Sequence, residues 1–145
     1  MVEVNTMVKG RIAELEVAAR LLEEGHEIYA PLVDDCGIDF LIRRADGTVD
    51  EIQVKSVGEG RWFQITTKDS PEVAARPRRW VLCVDGHETT WVMSAKVFFD
   101  AASVSRNEKG IFTYDLDLDV TRKGNAKTNA DVLAQYREAW KLLRD

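Results

Sequence analysis

Asp39 to Val57 leaves the chain few conformations to choose from. Asp39–Arg44 and Val49–Val57 are short, apolar-rich runs on either side of Asp46-Gly47, a dipeptide that closes antiparallel hairpins. In the second run side chains alternate between faces, so Glu51, Gln53 and Lys55 share one side while Ile52 and Val54 take the other. Loop length then decides the chemistry. A strict two-residue turn pairs Asp39 with Val54 and sends it away from Gln53 and Lys55. A three-residue loop, Ala45 to Gly47, pairs Asp39 with Gln53 and gathers an acid, an amide and an amine on one face. The second arrangement is expected, with Gly47 in the left-handed region or with a compensating bulge. Such a face can hold a divalent cation and an attacking water, which points to phosphodiester hydrolysis.

Upstream, Thr6 to Glu24 reads as a helix capped by Asn5 or Thr6 and stopped by Gly25. At 100° per residue, Ile12, Leu15, Ala18, Ala19, Leu21 and Leu22 form a broad apolar arc, with Glu16, Arg20, Glu23 and Glu24 opposite. Glu14 falls on the inward side, in one column with Gly10 and Ala18, whose small side chains let another element come close. A carboxylate facing inward needs a partner or a cation, since burying it alone costs several kcal/mol.

Further strands are expected over His26 to Leu32, Trp62 to Thr66, Trp80 to Asp85, Thr89 to Met93 and Ile111 to Val120. Pro71 opens a short helix that Pro77 must end, and Ser94 caps another over Ala95 to Ala101. A last helix, from about Ala130 to Leu143, carries Leu133, Tyr136, Trp140 and Leu143 on one side and should dock on the body. With 145 residues, 45 % of them hydrophobic, residues 1 to 145 are expected to form a single domain. Cys36 and Cys83 offer no disulfide framework, and the N-terminal residues lack a signal-peptide core, so a cytoplasmic location is expected.

Net charge is −5, against the habit of autonomous nucleic-acid binders, but the charge is uneven. Arg61, Lys68, Arg76, Arg78 and Arg79 cluster between Val57 and Trp80, while Asp85 to Val120 is acidic, which allows one basic face on an acidic body. Beside Arg61, Trp62 offers a ring on which an unpaired base could stack. His26 and His87 have no nucleophile partner at a recognisable elbow, and no glycine-rich phosphate loop is present.

A helix with an inward Glu14, then Gly37-Ile38-Asp39, then Gln53-Val54-Lys55, resembles the PD-(D/E)XK nuclease superfamily over roughly Lys9 to Ser56. Gly37-Ile38-Asp39 is similar to archaeal Holliday-junction resolvases. Lys9-Gly10 ahead of Ile12-Ala13-Glu14, with the Q-x-K form of the last motif, looks more like the small homing-type endonucleases. The resemblance implies an α/β (α+β) fold with a restriction-endonuclease-like core: a central mixed β-sheet flanked by helices, the N-terminal helix carrying the first acid. It implies Glu14, Asp39, Gln53 and Lys55 as catalytic residues. Asp39, Glu14, Gln53 and the main-chain carbonyl of Val54 would hold Mg²⁺, with Mn²⁺ as a substitute. Lys55 would orient and help deprotonate the water. Strand parity, apart from the resemblance, sets Glu51 on the same face, where it could lend the charge that Gln53 lacks. DNA would be the partner, gripped by Arg61, Trp62, Lys68, Arg76, Arg78 and Arg79. A homodimer is expected, with a protein partner as a further source of specificity. The other reading is a catalytically inactive nuclease-fold module that binds DNA or a protein.

Overall fold

The structure is a computed structural model and describes residues 3–33, 37–57, 62–86, 89–120 and 128–144. Helix α1 (Thr6–Glu23) leads into β1 (Glu27–Tyr29), β2 (Phe40–Arg43), β3 (Val49–Val57) and β4 (Phe63–Thr67). Then come α2 (Pro71–Ala74), β5 (Arg79–Asp85), β6 (Thr89–Ser94), α3 (Ala95–Ala101), β7 (Ser103–Arg106), β8 (Phe112–Leu116) and α4 (Asn129–Val132). Two 3₁₀ turns, Ala134–Tyr136 and Trp140–Leu143, end the described chain.

A five-stranded sheet in the order β1-β2-β3-β5-β6 is mixed, because β3 and β5 run parallel and every other pair antiparallel. Parallel neighbours need a long crossover. Here β4 and α2 supply it, and β4 pairs with β8 in a separate sheet ordered β4-β8-β7. One face of the mixed sheet buries Phe40, Ile42, Ile52, Val54, Leu82 and Val92 under Ala13, Val17 and Leu21 of α1 and under Trp140 and Leu143. The other face buries Val81, Cys83, Trp91 and Met93 against α3 and the second sheet. Gln53 and Lys55 therefore point into the side away from α1.

Helix α1 begins where expected, with the Asn5 side chain accepting from the Val8 amide at 2.9 Å. Its buried stripe shares only Leu21 and, in part, Ala18 with the arc expected from hydropathy. Ala13, Val17 and Leu21 are buried, with Gly10, Glu14 and Ala18 half-buried beside them, while Ile12, Leu15, Ala19 and Leu22 stay exposed. Small residues let the helix axis approach the sheet more closely than the bulkier arc would. The expected C-terminal helix is replaced by α4 and the two turns. Its backbone is drawn onto the edge of β6: Arg137 bridges Trp91, and the Glu138 amide, at φ 50°, donates to the Thr90 carbonyl at 2.8 Å. The docking surface survives, with Trp140 and Leu143 buried. The strand from Ile111 stops at Leu116, where Asp117 turns the chain by accepting from the Asp119 amide at 3.0 Å. Strand β7, exposed along its length, carries no apolar alternation that would reveal it. No helix among the described residues is long and apolar enough to cross a membrane.

Candidate active site

The hairpin has the expected loop. Arg44 donates to the Thr48 carbonyl at 2.8 Å, Ala45 to Gly47 lie between them, and Gly47 has φ 85°. The Asp46 side chain accepts from the Thr48 amide at 2.9 Å, which holds the turn. The ladder pairs Arg43 with Val49 and ends with Phe40 opposite Ile52. One further step would face Asp39 with Gln53. Instead the Asp39 amide donates at 2.9 Å to the carbonyl of Ile52, so two residues of the first strand meet one of the second, as in a bulge.

That slip puts the Asp39 carboxylate on the edge of β3, where its Oδ2 accepts from the Val54 amide at 2.7 Å. Backbone groups of alternate residues leave a strand on alternate edges. Glu51 donates its amide to the Arg78 carbonyl on the β5 side, so Ile52 and Val54 face β2. Since β2 ends at Phe40, the Val54 carbonyl emerges beside Asp39, beyond the last rung. An acid and a main-chain oxygen thus share one open notch. It lies between the α1 side and the Gln53 side of the sheet.

Gln53 is held rather than exposed. It is 6 % exposed, and its Oε1 accepts from Arg79 Nη2 at 2.7 Å. Gly37 makes room for the amide: a Cβ there would lie 3.1 Å from Gln53 Nε2, and φ 71° excludes most side chains in any case. Lys55 is half-buried on the same face, about 6.6 Å along the strand, opposite Cys83 in the ladder. Burial pushes the Cys83 thiol well above its ordinary range, and the Lys55 ammonium works weakly against that. Gly37, Gln53, Lys68, Asp69, Arg76 and Arg79 line a cleft of about 650 Å³ next to the notch.

The remaining site residues lie apart or have other partners. Glu14 is half-buried on α1 and ion-paired to Arg11 at 2.9 Å. Glu51 pairs with Arg76 at 2.7 Å, so its charge goes to an arginine. Arg79, expected to grip DNA, is 4 % exposed and lies inside. Its guanidinium holds Gln53, donates to the Ala74 carbonyl at 3.1 Å and sits over the Phe99 ring at 5.4 Å. Trp62, 51 % exposed, and Lys68 and Arg78 are at the surface, while Arg76 is half-buried. Arg61 lies outside the described residues. The sequence held one signal for the structural role of Arg79, its place directly against the apolar run from Trp80, and the adjacent Arg78 hides it.

Among the described residues no three His, Cys, Asp or Glu side chains form a group that could hold a metal ion. Magnesium asks less than that, taking one or two carboxylates and keeping several waters. The Asp39 carboxylate and the Val54 carbonyl fit that modest requirement. Glu14 and Gln53 are engaged by Arg11 and Arg79.

The order and pairing of elements define a restriction-endonuclease-like core, a mixed sheet with helices on its faces. Among solved structures, the bacterial homing endonuclease I-Ssp6803I is similar, with a TM-score of 0.64 over 97 % of this chain and 93 % of that one at 22 % identity. No family model matches the sequence, and no curated protein matches it significantly.

Proposed function

We propose that the chain is a metal-dependent DNA endonuclease that hydrolyses phosphodiester bonds, acting in the cytoplasm as a homodimer with one active site for each strand. The observation that carries this reading is the notch on β3. There the Asp39 carboxylate and the Val54 carbonyl share an edge beyond the last rung of the hairpin, next to Gln53 and Lys55. The likeness to a homing endonuclease supports it.

Asp39 and the Val54 carbonyl would hold Mg²⁺ or Mn²⁺, joined by Glu14 and Gln53. The ion supplies Lewis-acid stabilisation of phosphate charge and lowers the pKa of water. Lys55 orients the attacking water and offsets the negative charge that develops on the phosphate. Arg79 fixes the Gln53 side chain from behind, so the amide meets the ligand in one orientation. Trp62, Lys68, Arg76 and Arg78 carry the DNA backbone, with Arg61 beside them in sequence, and specificity comes from these loops or from a protein partner.

The test is incubation with plasmid, linear and branched DNA in Mg²⁺ or Mn²⁺, with a chelator control. Cleavage by the wild type that Lys55→Ala abolishes supports the proposal. Equal nicking by both proteins identifies a contaminant and overturns it.

A further inference from the structure

The face of α1 turned away from the sheet is strongly apolar. Val8, Ile12, Leu15 and Leu22 are 46 %, 37 %, 54 % and 58 % exposed, and Ala19 is exposed with them. Their spacing of four, three, four and three residues is a coiled-coil seam, sustained for the length of the helix. A solvated helix face has no reason to keep that period. The sheet-facing stripe of Ala13, Val17 and Leu21 already anchors the helix.

Charges along the seam say what covers it. Lys9 and Arg11 flank its first half, Glu16 its middle and Glu23 its end, all on the surface, while Arg20 is turned to Glu24 and Trp140. Lys9 in the first turn and Glu23 in the last oppose the helix macrodipole, which favours acids at the N-terminus and bases at the C-terminus. This order suits an antiparallel copy of the same helix, which sets Lys9 beside Glu23 of the second copy at both ends and aligns the two dipoles head to tail. Neither Lys9 nor Glu23 has an ion-pair partner among the described residues. A helix already ordered by its own domain also pays no cost of forming before it pairs.

We infer that α1 is a two-fold interface on which a second copy of this chain docks its own α1 antiparallel, with Leu15 at the axis. Tyr29, Leu32 and Val33, exposed at 47 %, 104 % and 69 % on and after the neighbouring β1, offer further apolar surface for the contact. The inference deepens the homodimer of the proposed function. Its test uses no cleavage, so the two readings fail separately.

Sedimentation equilibrium should show a wild-type dimer. Leu15→Glu should weaken it by at least ~30-fold, the scale of losing a central hot spot, with circular dichroism and thermal unfolding unchanged. Lys9→Glu should also weaken it, and adding Glu23→Lys should restore it. In a Cys36→Ser background, oxidised Leu15→Cys should form a disulfide-linked dimer. Leu22→Cys should not link to itself but should link to Val8→Cys when the two are mixed. A wild-type monomer at about 100 μM, a dimer indifferent to Leu15→Glu, or self-linking of Leu22→Cys would each overturn the inference.

Discussion

Replacing Gln53 with leucine should cost more stability than its position beside an open cleft suggests. The perturbation removes the acceptor for a guanidinium that is 4 % exposed and 2.7 Å from Gln53 Oε1. Hydrogen bonds to charged groups contribute about 1.5–3 kcal/mol, and removing one partner of a buried charged pair costs about 3–5 kcal/mol. Arg79 keeps the Ala74 carbonyl and the Phe99 ring, which places the loss near the lower end, about 3 kcal/mol. For a chain of this size that is a fall in Tm of roughly 6–12 °C. Gln53→Glu should stay within about 2 kcal/mol of the wild type, because the new attraction and the burial of a second charge largely cancel. Thermal and urea unfolding of the three proteins, followed by circular dichroism, give both differences. Gln53→Leu with a Tm within about 2 °C of wild type would refute the view that Arg79 depends on Gln53.

Asp50, 2 % exposed, accepts from Arg44, Arg78 and the Trp80 indole, so Asp50→Ala should destabilise by about 3–5 kcal/mol in urea unfolding. Gly47→Ala should cost about 1–2 kcal/mol in the same assay. At φ 85° with nothing within 4 Å of an added Cβ, that cost is backbone strain alone, and Gly47→Asn should recover part of it. Glu51→Ala should leave cleavage unchanged, because the carboxylate is committed to Arg76; loss of cleavage would give Glu51 a direct role.

Local signals placed the hairpin well, and long-range packing decided what they missed. The alternation of β3 fixed its faces, since parity is a local property, while Asp46-Gly47 marked the turn and left two loop lengths open, the three-residue one being expected because it gathers Asp39 with Gln53 and Lys55. The half-slip at Asp39 was harder to see, because it depends on where β2 stops, and that is set by the chain before Phe40. On α1 the sequence showed two apolar stripes. The expected arc held Leu21 and Ala18, but the sheet took Ala13 and Val17 with Leu21, flanked by the small Gly10 and Ala18. The last helix failed for a related reason: residues 137 and 138 gain more from pairing with the edge of β6 than from continuing a helical ladder. Arg79 looked like a surface cation among its neighbours Arg76 and Arg78, and only the strand order β3-β5 reveals that it faces Gln53's side of the sheet.

Asp39→Asn gives the most direct test of the notch on β3 as a metal-dependent cleavage site. An asparagine oxygen can still accept from the Val54 amide, so the fold should hold, with stability within about 1 kcal/mol of wild type. What is lost is the charge that would bind the ion, and several kcal/mol of transition-state stabilisation corresponds to roughly 10³-fold in rate. The measurement is the rate of plasmid cleavage in saturating Mg²⁺ by wild type and Asp39→Asn at matched folded concentration. The account predicts metal-dependent cleavage by the wild type and a fall of that size in the variant. Metal-dependent cleavage that Asp39→Asn leaves at wild-type rate would contradict it.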